Sequence, residues 1–515
     1  MLAAAIAATL LLAQEPTLAE IDAKLRKAVD RDSYEAGAVD SARALAAMRS
    51  VEAMELRLEL FDAKWATYRG VFLRDWLYSG MQRAETREEA DLLARAAADK
   101  KRGEWLRVLC LRAIEQCSAR VDGELLFDPA FARAPDEVRR AWQAAAGACL
   151  GAARADFDKP AGASAARAAL LEAGAPFLGL ARLPDWTAEE ITAVGRAAEG
   201  AKNPGDRALA LRTAGANPAG REAFVAAARV ALRREECGPR AAAIETAGAH
   251  GAIELVPDLI AFLEAEAKRG GGRFVHDAAE TLRRITGLPF GPKPEMWRHW
   301  WTKEGAAWLE RSRAEADGRG AGEGVARQAE SDTVSARFFG LPVDSFRIAI
   351  VVDGSGSMSA SKLGAISTVE AAAREVEKFC TALPRDAVFQ VWIVETTPSA
   401  AFNKAMPANG AQREKGMDFL RKRAYRSTSA VVEAIESASL DPDIDTIVFI
   451  GDGGSSAGKH AYDEHILEAL RHVYARTGVR VHTILVTDNT AHEDLMKDLA
   501  GATGGRMAKP SGSSG

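Results

Sequence analysis

Cysteine is scarce in this chain of 515 residues, which contains only five. These are Cys110, Cys117, Cys149, Cys237 and Cys380, and they include no Cys-x-x-Cys pair and no histidine at zinc-ligand spacing. Disulfide-rich scaffolds and structural zinc sites need dense or paired cysteines. The sequence therefore excludes both classes, and we expect most of the cysteines to be small core residues.

An excess of basic residues is also lacking. Lysine and arginine together number 67 against 72 acidic residues, which gives a formal net charge of -5. Proteins that bind nucleic acid neutralise phosphates with surplus Lys and Arg. The charge balance therefore predicts no nucleic-acid partner.

Long apolar runs are absent as well, since no stretch reaches the 18 uninterrupted apolar residues that suggest a membrane-spanning helix. The segment Leu2–Ala13 is apolar except for Thr9, which is typical of the apolar region of a secretory signal, although no Lys or Arg precedes it. We expect residues 1–13 to be a signal peptide, no integral membrane span in the mature chain, and a secreted or periplasmic protein. The alternative is an ordinary buried N-terminal helix in a cytoplasmic protein.

Residues 17–313 are rich in alanine, leucine, arginine and glutamate, with apolar residues at helical spacing. A similar six-residue pattern ending in Ala-Gly-Ala recurs at spacings of 41 and 33, in Leu170–Ala175, Leu211–Ala216 and Ile244–Ala249. Repeated helix pairs at such a period indicate an α-solenoid. The unit Arg240–Leu263 resembles a HEAT repeat, so we predict an all-α, HEAT-like domain over residues 17–313.

The aromatic residues amount to 7% of the chain, which makes the cluster Trp297-Arg298-His299-Trp300-Trp301 conspicuous. It is either an aromatic binding platform or a helix that covers the exposed end of the solenoid, and its place at the end of the array favours the second interpretation.

Residues 314–333 are Gly-rich and polar, which predicts a flexible linker that leaves the parts before and after it as separate domains. Residues 511–515 are predicted to be a disordered tail.

Beyond the linker, apolar strands alternate with helical segments, as in a doubly wound α/β sheet. The predicted strands are Phe346–Val352, Ala387–Val394, Thr446–Ile450 and Arg480–Val486, with an edge hairpin near Ala400–Phe402 and a short strand near Arg506–Ala508. The architecture is Rossmann-like, but no Gly-x-Gly-x-x-Gly turn follows a strand. No nucleotide is implied.

The first of these strands runs directly into Asp353-Gly354-Ser355-Gly356-Ser357. In open parallel sheets the ligand lies at the carboxyl ends of the strands, so oxygen donors at alternate positions there can converge on one ion. One carboxylate with hydroxyls, and no His or Cys, suits a hard divalent cation. We predict Mg²⁺, with Mn²⁺ or Ca²⁺ as alternatives.

These residues resemble the Asp-x-Ser-x-Ser signature of the von Willebrand factor A (VWA) domain, over residues 339–510. Asp452, after the strand Thr446–Ile450, matches the later Asp of that family, and the segment Arg426–Ser429 lies where the family carries a Thr ligand. Residue identity favours Thr428 for that role, whereas register favours Ser429. The resemblance implies a metal-ion-dependent adhesion site formed by Asp353, Ser355, Ser357, Thr428 or Ser429, and Asp452.

In that family the ion leaves one coordination position open for an acidic side chain of a partner. The resemblance thus implies a non-enzymatic adhesion or scaffold protein whose partner is a protein with an exposed Asp or Glu. An intracellular assembly factor of an ATPase complex is the alternative, because some family members serve as assembly modules.

An enzymatic interpretation rests on Gly454–Gly458, which fits the Gly-x-Ser-x-Gly pattern with Ser456, and on Asp488 and His492 downstream. A nucleophile elbow places its Ser directly after the strand, whereas Ser456 lies six residues beyond Ile450. We therefore expect no serine hydrolase and no enzyme.

Overall fold

The computed structural model describes residues 16–31, 36–63, 70–158, 161–172, 176–316, 336–363, 365–423, 425, 428–487 and 491–510. The chain divides into two compact units, residues 1–174 and residues 175–515. The predicted signal peptide, the tail after residue 510 and the linker from residue 317 onward lie outside the described residues.

The first unit is helical, as the sequence predicts. Its helices are α1 (Leu18–Arg31), α2 (Ala36–Ala47), α3 (Val51–Asp62), α4 (Gly70–Gln82), α5 (Arg87–Ala98), α6 (Glu104–Gln116), α7 (Gly123–Leu126), α8 (Asp136–Gly151) and α9 (Gly162–Glu172), with a short parallel pair β1 (Val121–Asp122) and β2 (Ala155–Asp156). Helix α5 begins at a capping box, in which Thr86 and Glu89 bond each other's backbone N–H groups. The apolar faces of these helices form one continuous core.

The second unit begins with further helices. These are α10 (Pro176–Leu180), α11 (Ala188–Gly200), α12 (Pro204–Ala216), α13 (Arg221–Arg233), α14 (Cys237–Ala249), α15 (Val256–Lys268), α16 (Arg273–Thr286) and α17 (Pro294–Ala316). Helix α12 begins with Pro204 after the N-cap Asn203, and α16 ends at Thr286, followed by Gly287, whose φ of 77° gives a left-handed cap. In the predicted HEAT-like unit, α14 and α15 are joined by a short 3₁₀ turn. The repeat-like helical region is therefore confirmed.

The tryptophan cluster lies on α17 and is mainly part of the core. Trp297 and Trp300 are 0% and 6% exposed, and Trp297 packs edge-on against Phe290 with ring centroids 4.9 Å apart. Helix α17 packs on α15. These contacts agree with a helix that closes the array. Since α17 continues to Ala316, the first residues of the predicted linker are helical.

The remainder is the predicted doubly wound α/β domain. Its strands are β3 (Ala336–Phe338), β4 (Leu341–Val343), β5 (Arg347–Asp353), β6 (Lys362–Leu363), β7 (Ile366–Ser367), β8 (Val388–Val394), β9 (Ser399–Ala400), β10 (Met406–Pro407), β11 (Thr446–Gly451), β12 (Arg480–Leu485) and β13 (Met507–Ala508). Its helices are α18 (Gly356–Ala360), α19 (Thr368–Ala382), α20 (Gly410–Arg421), α21 (Val431–Ser439), α22 (Asp463–Thr477) and α23 (Glu493–Ala502).

The main sheet has seven strands in the order β10-β8-β5-β11-β12-β13, with β9 paired to β8. Strands β8, β5, β11, β12 and β13 are parallel, whereas β9 and β10 are antiparallel to β8 at one edge. The central strand β5 alternates between two cores: Ile348 and Ile350 face one layer of helices, and Ala349 and Val351 face the other. Burial on both faces explains why β5 reads as an uninterrupted apolar run.

Within the second unit, the helical array is anchored to the α/β domain at the amino ends of the strands. Arg273 of α16 is buried, and its Nη1 donates to the carbonyl oxygens of Asp445 at 2.7 Å and Gly478 at 2.6 Å, just before β11 and β12. Its Nε donates to Asp277, which also pairs with Arg480 of β12 at 2.5 Å. The glycine-rich linker led us to expect separate domains, whereas these helices and the α/β domain share a buried polar interface.

All five cysteines are free, and four of them are buried, which agrees with core residues rather than a disulfide scaffold. Among the described helices, none has the length and apolar character needed to cross a membrane.

Candidate metal site

The candidate site lies at the carboxyl edge of the sheet, where three neighbouring parallel strands end. Strand β5 ends at Asp353, β8 ends at Val394, and β11 ends at Gly451, one residue before Asp452. Because parallel strands present their carboxyl ends at one edge, residues far apart in the chain meet here. Gly451 approaches Asp353 so closely that an added Cβ would lie 2.8 Å from the Asp353 Cβ.

Asp353 is the most buried of the predicted ligands, with 0% of its surface exposed. Its Oδ1 accepts the backbone N–H of Ser355 at 2.8 Å, whereas its Oδ2 has no hydrogen-bond partner among the described residues. Burial, and next the charge of Asp452, raise the pKa of Asp353 well above its ordinary value. Among the described residues, no Lys or Arg is paired with this carboxylate.

The two serines of the motif link Asp353 to the second carboxylate. The Ser355 and Ser357 hydroxyl oxygens lie 2.7 Å apart, and the Ser357 hydroxyl donates to Asp452 Oδ2 at 2.5 Å. The other oxygen of Asp452 accepts the Gly454 N–H at 3.2 Å. The structure therefore brings Asp353, both serines and Asp452 into one cluster of oxygen donors.

The two candidates for the remaining ligand occupy different surroundings. Ser429 is buried: its hydroxyl donates to the Gly454 carbonyl at 2.9 Å and its N–H donates to the Ser456 hydroxyl at 3.1 Å. These bonds engage Ser429 in the loop that follows Asp452. The Thr428 hydroxyl is instead partly exposed and lies 2.6 Å from the hydroxyl of Thr396.

Thr396 was not identified from the sequence. It follows β8 at the same edge, and the preceding residue, Glu395, accepts the Ala430 N–H through its carbonyl oxygen at 3.1 Å. The rule that located Asp353 and Asp452 applies equally to β8, so the segment Glu395-Thr396-Thr397 was available as a signal. It was missed because this segment does not have the Asp-x-Ser-x-Ser spacing that makes the end of β5 recognisable.

Tyr425 marks a strained point in the chain just before Thr428. Its φ of 43° lies in the left-handed region, which a bulky residue adopts only when its surroundings hold it there. Its carbonyl oxygen accepts the hydroxyl of Ser359, a residue of α18, at 2.7 Å. Burial, then the charges of Asp353 and Glu395, raise the pKa of Tyr425 to about 12. Tyr425 therefore stays neutral and contributes no charge to the site.

The residues of the hydrolase interpretation do not form a triad among the described residues. The Ser456 hydroxyl accepts the Ser429 N–H, and His492 Nδ1 lies 3.0 Å from a carboxylate oxygen of Asp463 at the start of α22. Asp488 lies outside the described residues. The hydrogen bond with Asp463 raises the pKa of His492 above its ordinary value, although burial opposes the shift.

The donor set fits a hard divalent cation. Two carboxylates and several hydroxyls supply only oxygen ligands, which Mg²⁺ and Ca²⁺ prefer, and the buried Asp353 Oδ2 has no hydrogen-bond partner in the part of the chain that the structure describes. His492 lies beside the loop that follows Asp452, but its described hydrogen bond is to Asp463, so the clustered ligand atoms are all oxygens.

These features define a doubly wound α/β domain with an oxygen-rich site at the carboxyl edge of its sheet. The sequence pattern of the von Willebrand factor type A domain matches residues 346–508. That segment of the chain is therefore a VWA domain, as its motif suggested. No curated protein matches the chain significantly.

Several solved structures resemble about a third of the chain. An aerotolerance-related membrane protein from Bacteroides fragilis NCTC 9343, solved with multiple mutations to serines, is 15% identical with a TM-score of 0.26, over 32% of this chain and 90% of that one. A von Willebrand factor type A protein from Catenulispora acidiphila is 14% identical with a TM-score of 0.27, over 33% of this chain and 39% of that one. A membrane-spanning protein from Vibrio fischeri is 15% identical with a TM-score of 0.16, over 31% of this chain and 88% of that one.

Proposed function

We propose that this protein is a non-enzymatic binding or scaffold protein whose VWA domain captures a protein partner through a divalent cation. Mg²⁺ is the proposed ion, and Asp353, Ser355, Ser357, Thr428 and Asp452 are the residues that would hold it. When bound, Mg²⁺ would supply a positive centre that an Asp or Glu of the partner can join.

The observation that carries this proposal is the unpaired Oδ2 of Asp353. A buried carboxylate oxygen without a donor costs free energy, and a second carboxylate beside it adds repulsion. Proteins keep such arrangements where a cation relieves both costs. The buried ion pairs elsewhere in this unit are compensated within the chain, as at Arg273 and Asp277.

The choice of Thr428 over Ser429 follows from their hydrogen bonds. The Ser429 hydroxyl already donates to Gly454, and its backbone supports the same loop through the Ser455 and Ser456 groups. These hydrogen bonds are those of a residue that stabilises the loop after Asp452. The Thr428 side chain is partly exposed, and the hydrogen bond described for its hydroxyl is to another hydroxyl, that of Thr396.

The test is titration calorimetry of the full chain with Mg²⁺ and Mn²⁺. Because Asp353 carries the buried negative charge of the site, Asp353→Ala is expected to abolish binding of both ions, and Ser357→Ala to weaken it. Asp498→Ala, which removes an exposed carboxylate on α23, is the control and should bind like the wild type. Equal affinity in wild type and Asp353→Ala would refute the site.

The partner is tested separately from the ion. A captured protein partner should be released by EDTA and by Ser357→Ala, because both remove the centre that its acidic group joins, but not by Ser456→Ala. A serine hydrolase would behave in the opposite way, since a Ser nucleophile needs no metal. Partner binding that ignores both EDTA and Ser357→Ala would instead support the assembly-factor alternative.

We also propose that the protein acts outside the cytoplasm, on the basis of the apolar segment Leu2–Ala13. Mass spectrometry of the protein isolated from its own cells tests this. A mature chain that starts at Gln14 is expected, whereas a retained Met1 would favour the cytoplasmic alternative.

A further inference from the structure

We propose that Thr396 is a positioning residue that orients the Thr428 hydroxyl toward the metal ion. This inference rests on the proposed function and extends the site to β8, a strand that carries none of the ligands named above. The observation behind it is the contact between the two threonine hydroxyl oxygens, 2.6 Å apart, although the residues lie 32 positions apart in the chain.

The end of β8 holds the Thr428 segment at two points. The Glu395 carbonyl oxygen accepts the Ala430 N–H at 3.1 Å, which fixes the backbone two residues after Thr428. The Thr396 hydroxyl meets the Thr428 side chain itself. One contact sets the position of the chain and the other sets the rotation of the hydroxyl.

Strand β8 is in turn fixed to the motif strand. It pairs with β5 along its whole length, from Arg347 opposite Val388 to Asp353 opposite Val394, and the Gly354 N–H donates to the Val394 carbonyl at 2.9 Å. Thr396 therefore has a defined place relative to Asp353. Through Thr396, the register of the sheet determines where the Thr428 oxygen lies.

The chemistry of a hydroxyl explains why this contact matters. A threonine hydroxyl has one hydrogen and two lone pairs, and a cation takes a lone pair. If the Thr428 hydrogen is donated to Thr396, a lone pair of Thr428 remains directed away from that bond and available to the ion. Without an acceptor at position 396, the hydroxyl rotates freely and must be ordered each time an ion binds. Partners of this kind behind a metal ligand commonly change metal affinity by about 10- to 100-fold.

The experiment uses the full chain and Mn²⁺, with affinity measured by calorimetry and the environment of the ion by electron paramagnetic resonance. Thr396→Val removes the acceptor but keeps the branched shape, and Thr396→Ser restores the hydroxyl. Thr397→Val is a matched control, because Thr397 is the neighbouring exposed threonine. Thr428→Val and the double variant T396V/T428V complete a double-mutant cycle.

We expect Thr396→Val to weaken Mn²⁺ binding by about 10-fold, Thr396→Ser to recover most of the affinity, and Thr397→Val to match the wild type. The double variant should bind like Thr428→Val alone, because Thr396 acts through Thr428. Without metal, all variants should have the same thermal unfolding temperature, since Thr396 and Thr397 are exposed and Thr428 is partly exposed.

Two results would overturn the proposal while leaving the metal site intact: unchanged affinity in Thr396→Val, or losses that simply add in the double variant, which would mean that Thr396 acts independently of Thr428. A wild-type protein that binds no Mn²⁺ would overturn the proposed function itself, and with it this inference. The two failures are therefore distinguished by the wild-type titration.

Discussion

The two edges of the VWA sheet differ in how far their buried charges are compensated by neighbouring groups. At the amino edge, Arg273 is surrounded by carbonyl oxygens and carboxylates of the same chain, and Asp277 pairs with both Arg273 and Arg480. At the carboxyl edge, Asp353 has one oxygen without a partner and Asp452 as its neighbour. At the amino edge, which we call the complete edge, the buried charges are compensated by described residues. At the carboxyl edge, which we call the incomplete edge, no described Lys or Arg pairs with Asp353.

The direction of the pKa shifts expresses the same difference. Burial alone would lower the pKa of Arg273 and raise that of Asp277, but the opposite charges outweigh it: Asp277 helps to raise the pKa of Arg273, and Arg480 with Arg273 lowers that of Asp277. At Asp353, burial and the neighbouring charge act in the same direction and raise the pKa. A compensated charge cluster serves the fold, and an uncompensated one indicates a ligand.

The largest expected effect comes from breaking the amino edge. Arg273→Ala removes the buried donor to the Gly478 carbonyl oxygen and one of the two donors to the Asp445 carbonyl oxygen, which keeps the Arg480 N–H. It also removes one partner of Asp277, and together these losses should cost about 3–5 kcal/mol of unfolding free energy. Urea unfolding of the full chain measures the loss. Affinity for Mn²⁺ should stay within about two-fold of the wild type, because the site lies at the other edge.

A matched control for this variant is available on the same helix. Arg284→Ala removes an arginine whose side chain is 49% exposed and pairs with Glu280 one turn away, and such pairs contribute about 0.3–0.5 kcal/mol. If Arg273→Ala proved as mild as Arg284→Ala, the array would not depend on the buried interface, and the two parts would behave as the separate domains that the linker suggested.

A second prediction concerns pH and the incomplete edge. In the unfolded chain Asp353 titrates near pH 3.9, whereas its pKa in the folded protein is raised. Between these two values the folded protein holds a proton that the unfolded chain has released, so the unfolding free energy of metal-free protein should fall as pH rises through this window. Asp353→Asn should remove that fall and stabilise the metal-free protein by about 1–3 kcal/mol at the upper end, while abolishing metal binding.

Thermal unfolding across a pH series, with and without Mg²⁺, measures this effect. Saturating Mg²⁺ should raise the stability of the wild type at high pH, because a bound ion favours the ionised carboxylate, but should leave the stability of Asp353→Asn unchanged. Asp498→Asn, at an exposed position, should follow the wild type throughout. A metal-free wild type whose stability rises through the same window would mean that the charge of Asp353 is compensated after all.

Much of the incomplete edge was predictable from the sequence. Asp353, Ser355 and Ser357 follow an apolar strand at alternate positions, and Asp452 follows another, so the rule about the carboxyl ends of parallel strands was sufficient to group them. The helical character of the first half was equally predictable, because composition and periodicity are local properties. The features that could be predicted are therefore those that short segments of the sequence encode.

The complete edge was not predictable, because it depends on contacts between distant segments. Arg273 lies 172 residues from Asp445 and 205 from Gly478, and nothing near it in sequence distinguishes it from the other arginines of the array. The contact of Thr396 with Thr428 was missed for a similar reason. The sequence pattern also predicts a helix from Lys362 to Leu383, whereas in the structure the small hairpin β6–β7 comes first and α19 begins at Thr368.

The smallest expected effects come from a matched pair of serines, one at each edge. Ser345 is buried and donates to Asp445 Oδ1 at 2.6 Å, so Ser345→Ala should cost about 0.5–1.5 kcal/mol of unfolding free energy and leave Mn²⁺ affinity unchanged. Ser357 is exposed and donates to Asp452, which crowds Asp353, so Ser357→Ala should barely alter the stability of metal-free protein but weaken Mn²⁺ binding by about 10-fold or more. Urea unfolding and calorimetry measure the unfolding free energy and the Mn²⁺ affinity of both variants. Ser345→Ala should change only the first quantity, and Ser357→Ala chiefly the second. If Ser357→Ala destabilised the metal-free protein as much as Ser345→Ala does, its hydroxyl would serve the fold, and the contrast between the two edges would fail at that residue.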